Sequence, residues 1–306
     1  MKADLHVHSN FSYDVPNLPE FSPRALYDRA VERGMAFFTL TDHDTLAGIE
    51  DLRRHLQAKY GDHPPIPVIP GVEMKLFDPS IGHTIHVNVL GLSAQDHERL
   101  EQRRSSLPRF TRYCQRHGLF HTYNHPLWFE RGERARIEEI ERAVDFFPVI
   151  ELNAGRIPEL NARTAALARR HGKPLIANSD THVGQVGKCY TQAKAQSVEE
   201  FLACVVAGKA QAFPDHFRFQ EFTREISEAV DLWTRKRPAP AKRRALPHGH
   251  KDRYLLVHRI LGRRPMRWPI PRRLLGVVMK VIARATTYAF LRQQRRMHLR
   301  LGEAQS

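Results

Sequence analysis

A chain of 306 residues, 42% hydrophobic and 26% charged, is long enough for one barrel-sized domain with a sizeable core plus an extension. Its three cysteines, Cys114, Cys189 and Cys204, show no CxxC spacing and leave an odd count, which favours a reducing compartment over a disulfide scaffold. The net charge of +15 is unevenly spread: residues 1–214 carry 26 basic and 26 acidic side chains, residues 215–306 carry 22 and 7, so the excess belongs to the last third.

Apolar runs bounded by turn residues predict strands near 3–8, 36–41, 66–72, 84–91, 119–124, 148–152 and 174–178. Between them, helices are predicted near 23–34, 46–59, 95–117, 135–143, 159–171 and 197–208. Ser22 followed by Pro23 is an N-cap with proline at the first helical position, and Ser197 with Glu200 has the form of a capping box. Alternation of short strands and helices predicts an α/β fold with a parallel sheet and helices outside.

Polar residues of one chemical type recur within or at the ends of these apolar runs, where an unpaired polar group is costly. His6 and His8 lie two apart on a strand and therefore project from one face, and Asp180 and His182 repeat the spacing downstream. The run 36–41 leads into Asp42, His43 and Asp44; 66–72 ends at Glu73; His86 lies within 84–91; and 120–124 leads to His125. Imidazoles and carboxylates without thiolates suit zinc, manganese or iron ions. His55, His63, His97, His117, His171 and the histidines beyond 215 lack this context.

The motifs His6-x-His8, Thr41-Asp42-His43, Gly71-Val72-Glu73, Asn124-His125-Pro126 and Ser179-Asp180-Thr181-His182, in that order, resemble the PHP (polymerase and histidinol phosphatase) family of metal-dependent phosphoesterases over roughly residues 1 to 213. The resemblance implies a distorted (β/α)7 barrel with two or three divalent ions at its mouth. It implies that His6, His8, Glu73 and Asp180 hold one ion, that Glu73 bridges to a second held by His86 and His125, and that Asp14, His43 and His182 hold a third. His86 is preferred to His83 because a strand follows it and can fix its direction.

In such a site Glu73, His43 and Asp180 act as metal ligands, with no protein nucleophile. Clustered ions lower the pKa of a bound water and neutralise phosphate charge, so water attacks phosphorus in line. Asp42, Asp44 or Asp4 is expected to orient a ligand imidazole through its other ring nitrogen. Arg156 and Lys188 are the candidates for gripping the substrate phosphate, beside the plainer reading of both as solvated loop cations.

The chain thus divides into a metal-dependent hydrolase domain, 1–214, and a basic extension, 215–306. Residues 235–244 read as a charged linker, and Leu274 to Leu291 as an amphipathic helix with Lys280, Arg284 and Thr287 on its polar stripe. Two central cations argue against a spanning helix; docking on the barrel or on a second copy, an anionic membrane surface and nucleic acid remain as partners. The chain opens on a strand with no leader pattern, which together with the cysteines points to a cytoplasmic protein, with a membrane-peripheral position as the alternative. The leading expectation is a phosphoesterase acting on a small phosphomonoester through a metal-activated water. The alternatives are a nuclease or nucleotide phosphodiesterase using the basic tail, and a membrane- or partner-binding protein with a vestigial barrel.

Overall fold

In the computed structural model, residues 1–15, 17–129, 133, 135–153 and 158–215 are described, together with residues 277, 281, 285, 288, 289, 292, 295 and 296. Nine strands and seven helices occur among them: β1 (Lys2–Ala3), α1 (Pro23–Glu32), β2 (Phe38–Leu40), α2 (Ala47–Tyr60), β3 (Val68–Phe77), β4 (Thr84–Leu90), α3 (Ala94–Glu101), α4 (Leu107–Arg116), β5 (Phe120–Tyr123), α5 (Ile137–Val144), β6 (Ile150–Asn153), α6 (Pro158–Arg170), β7 (Leu175–Asn178), β8 (Tyr190–Gln192), α7 (Val198–Val206) and β9 (Gln211–Phe213). The main sheet is six-stranded, in the order β2-β3-β4-β5-β6-β7, and β1, β8 and β9 form a second, three-stranded sheet.

The sheet is mixed, a curled α/β half-barrel, and not the all-parallel one expected. β3 and β4 pair antiparallel, as do β4 and β5, while β2–β3, β5–β6 and β6–β7 are parallel. The reason is local. A parallel pair needs a crossover of a dozen or more residues, and the connection between Phe77 and Thr84 is far shorter. Asp78 shapes that connection, accepting from Ser80 N and, through its other oxygen, from Leu107 N. Because β3 runs on into this hairpin, Glu73 sits mid-strand and not at a strand end.

Two further expectations change. The helix expected over 95–117 is two helices, α3 and α4, with Pro108 in the first turn of the second. Only Lys2–Ala3 of the first expected strand is regular; residues 4–8 instead fill the gap between the sheet's two edges. There Thr41 N donates to Val7 O, and His8 N donates to Thr181 O on the other side. His6 and His8 are thereby delivered to the centre of the curl.

Helices cover the outer face. α1 buries Leu26, Tyr27 and Ala30, and α4 buries Leu107, Phe110 and Cys114, spacings that put one apolar stripe inward. They pack on Val72, Met74, Val87, Val89 and Ile150 from the sheet, the bulk of the core. Gly48 in α2 allows close approach: a Cβ there would collide with the Asp42 carboxylate. The eight described residues beyond 215 are helical and exposed, among them Val277, Val281 and Tyr288. Otherwise the expected linker and amphipathic helix lie outside the described residues. Among those residues, no helix is long and apolar enough to cross a membrane.

Candidate metal centre

The inner face of the curl gathers nine of the expected residues into three overlapping groups: His6, His8, Glu73 and Asp180; Glu73, His86 and His125; and His8, Asp14, His43 and His182. Within each group, ligand-grade atoms all lie within 4.8 Å of one another. His8 joins two groups, which the resemblance did not imply.

Glu73 is the hub. Its Oε2 lies 3.2 Å from both His6 Nε2 and His8 Nε2 and 3.0 Å from His43 Nδ1, while Oε1 lies 3.1 Å from His86 Nδ1 and 3.4 Å from His125 Nε2. Asp180 Oδ1 is 3.2 Å from both His6 Nε2 and His8 Nε2, which are 3.0 Å apart. A tetrahedron around an ion with bonds of about 2.0 Å has edges of about 3.3 Å, close to these separations. Asp14 Oδ2 in turn lies 3.0 Å from both His43 Nε2 and His182 Nε2.

The hydrogen bonds around the imidazoles fix which nitrogen faces inward. His6 Nδ1 donates to Glu151 Oε1 at 2.8 Å, and His182 Nδ1 donates to the Asp180 carbonyl at 3.0 Å. His8 Nδ1 faces Ser12 Oγ at 3.4 Å, and that hydroxyl donates to Asp14 Oδ1. In each ring Nδ1 is engaged outward and Nε2 is turned towards the group's centre, the nitrogen a metal ligand gives up its proton from. The donor set therefore fits divalent cations.

Charge follows from this crowding. Burial raises the Glu73 and Asp14 carboxyls, but the imidazoles around them overcome it and hold both well below the usual range, His6 and His43 acting on Glu73 and His43 and His182 on Asp14. Burial lowers His8, but hydrogen bonds to Asp180 and Glu73 carry it up to about 10. Burial likewise opposes the rise of His6, which Glu151, Asp180 and Glu73 hold well above the ordinary value. Acids and imidazoles thus share protons where a cation would otherwise balance the carboxylates.

None of the three expected orienting aspartates touches a ligand ring. Asp42 accepts from Ser9 N and Ser9 Oγ, and Asp4 from Ser179 N and Gly187 N; burial pushes both up to about 6. Asp44 pairs with Arg104. The orienting group is Glu151, wholly buried on β6 and also held by Asn178 Nδ2 at 2.8 Å. An acid inside the apolar run 148–152 was the signal for it. Asp44, His125 and Asp180 are the non-glycine residues with positive φ, at 57°, 31° and 47° among the described residues, so backbone strain gathers at the cluster.

His83 is hydrogen-bonded to Tyr123 Oη at 2.9 Å, which leaves His86 as the histidine of that strand facing Glu73. Lys188 is half-buried in the connection before β8, and Arg156 lies outside the described residues.

The PHP domain model matches residues 4–217, more than two thirds of the chain. The chain belongs to the PHP domain family. That family comprises metal-dependent phosphoesterases, and the histidine–carboxylate cluster lies within the matched PHP domain. A curated relative, phosphoribosyl 1,2-cyclic phosphate 1,2-diphosphodiesterase of Eggerthella lenta, is 29% identical over 92 residues, which span 30% of this chain and 31% of the relative. Among solved structures, PsfC from Pseudomonas syringae is similar with a TM-score of 0.52 and 17% identity, covering 76% of this chain and 96% of that one. A histidinol phosphate phosphatase from Lactococcus lactis, solved with zinc, L-histidinol and phosphate, gives a TM-score of 0.34 and 14% identity, covering 67% and 92%.

Proposed function

We propose that this PHP domain hydrolyses a small phosphate monoester, with water as the nucleophile. The observation that carries this reading is the sharing of Glu73 between two groups of imidazoles. His6, His8, Glu73 and Asp180 would hold one ion, His86 and His125 a second together with Glu73, and Asp14, His43 and His182 a third. Zinc, manganese or iron suits this mixture of imidazole and carboxylate. Bound divalent ions supply a water of lowered pKa and charge neutralisation for the phosphate.

In this reading no side chain forms a covalent intermediate. Two buried hydroxyls beside the cluster donate to carboxylates: Ser9 Oγ to Asp42 at 2.7 Å and Ser12 Oγ to Asp14 at 2.8 Å. None of the three cysteines belongs to the grouped residues. Glu151 holds the His6 proton at Nδ1, and the Asp180 carbonyl holds that of His182. These contacts turn Nε2 of each ring inward, the nitrogen that must lose its proton when an ion binds.

A second reading is hydrolysis of a phosphodiester, supported by the partial match to a diphosphodiesterase and by the 22 basic against 7 acidic residues of 215–306, which suit a polyanion. Turnover of p-nitrophenyl phosphate with added manganese, lost in His8→Ala, is the expected result. A wild-type protein inert towards aryl phosphates, mononucleotides and oligonucleotides with every one of the three metals would refute both readings.

A further inference from the structure

Asp44 follows His43 directly and ties its turn to the strand that carries Glu73. It sits in the left-handed region with φ at 57°, a conformation Asp tolerates better than most side chains. Its N donates to Glu73 O at 2.9 Å, and its Oδ1 accepts from Lys75 N at 3.4 Å. His43 and Glu73 themselves form an isolated parallel bridge. The His43 turn is thus laid along β3 where Glu73 stands.

Arg104 closes the arrangement from the connection between α3 and α4. Its guanidinium donates to Asp44 Oδ1 and to Glu101, and its carbonyl accepts from Phe77 N at 3.1 Å. The side chains of Asp44 and Arg104 are only 14% and 15% exposed, where a charge is costly unless paired. Three ties to one strand, at Glu73, Lys75 and Phe77, therefore meet at Asp44. Their product lies on the other side of the turn: His43 Nδ1 stands 3.0 Å from Glu73 Oε2, and His43 Nε2 stands 3.0 Å from Asp14 Oδ2.

We propose that Asp44, clamped by Arg104, is the positioning residue for His43 and sets how tightly the ion of Asp14, His43 and His182 is held. This deepens the metal-centre reading and rests on it. His86 needs no such clamp, because β4 pairs with β3 along its length and fixes its direction. Breaking the clamp therefore weakens one ion and spares the one between Glu73, His86 and His125.

The test titrates manganese into apo wild type, D44G, R104M and R104K as full-length protein, with the free ion read by electron paramagnetic resonance. Glycine keeps the left-handed turn without strain while removing the carboxylate. D44G and R104M should weaken one ion about tenfold or more, the loss usual when a ligand's outer partner is removed, and leave the others near wild type. R104K, which keeps a charge for Asp44, should lose less than R104M. Phe201→Leu loosens a separate core cluster and should keep every ion. If D44G does not fold, D44N, which tolerates the same turn and loses the charge, takes its place. Unchanged affinities in D44G and R104M, equal weakening of every ion, or the same loss in F201L would overturn the inference. Should the wild type bind no ion, the metal reading fails on its own. Hydrogen exchange of the Asp44 and Lys75 amides in apo protein then still decides the clamp: faster exchange in R104M supports it, and equal exchange sinks it.

Discussion

Glu151 Oε1 and His6 Nδ1 lie 2.8 Å apart, and both side chains are wholly buried. The two residues are 145 positions apart in the chain, yet this contact sets the tautomer of the innermost imidazole. Partners of this kind typically contribute about 10–100-fold in metal affinity or activity. Glu151→Gln should therefore weaken metal binding by about that factor, measured by competition with a chromophoric chelator, with far-ultraviolet circular dichroism unchanged. An affinity equal to wild type would remove Glu151 from the centre's support.

Metal removal gives a prediction that needs no substrate. An ion that binds only the folded state at about a hundred times its Kd adds about 2.7 kcal/mol of stability. At about 2–4 °C per kcal/mol for a domain of this size, manganese or zinc should raise Tm by roughly 5–11 °C over the chelator-treated protein. His8→Ala removes a member of two groups and should abolish most of that rise. A Tm indifferent to metal in the wild type would refute the cation site.

The basic tail is tested by truncation. Asp215 N donates to Cys189 Sγ, so a cut at 217 keeps this contact where one at 214 loses it. In the diester reading, oligonucleotide cleavage by the full chain should fall steeply with salt, with a slope of about −0.7 for each phosphate neutralised. The protein lacking 218–306 should lose most of that slope. Under the monoester reading, p-nitrophenyl phosphate turnover is the same in both proteins.

The cysteines predict alkaline behaviour. Burial pushes the Cys114 and Cys189 thiols from 9.0 up to about 12. At pH 9 each is then thiolate in about one molecule per thousand, and the thiolate is the reactive form. Native protein should be alkylated at Cys204 alone, and all three thiols should react in denaturant, as read by intact-mass spectrometry. The folded chain keeps these protons to higher pH than the unfolded chain, so stability falls as pH rises above 9. Rapid native labelling of Cys114 would contradict the burial.

Most of the centre was readable because its residues interrupt apolar runs. His6, His8, His43, Glu73, His86, His125, Asp180 and His182 each stand where a lone polar side chain is costly, and the structure groups all of them. Asp14 was placed by family pattern alone, since residues 9–15 form an irregular loop with no period to read. The hairpin sense of β3 and β4 was missed because strand periodicity carries no direction; only the short connection after Phe77 reveals it. Glu151 bears the same mark, an acid inside the apolar run 148–152, but its partner His6 stands 145 positions away, which local spacing does not encode.

Glu73 turns one oxygen towards His6, His8 and His43 and the other towards His86 and His125. In the proposed site, an ion held on one side would fix this carboxylate's rotamer for an ion on the other, while the two cations would repel each other. Reciprocity requires whichever effect wins to act equally in both directions, so a metal titration of the wild type followed to full loading reads its sign.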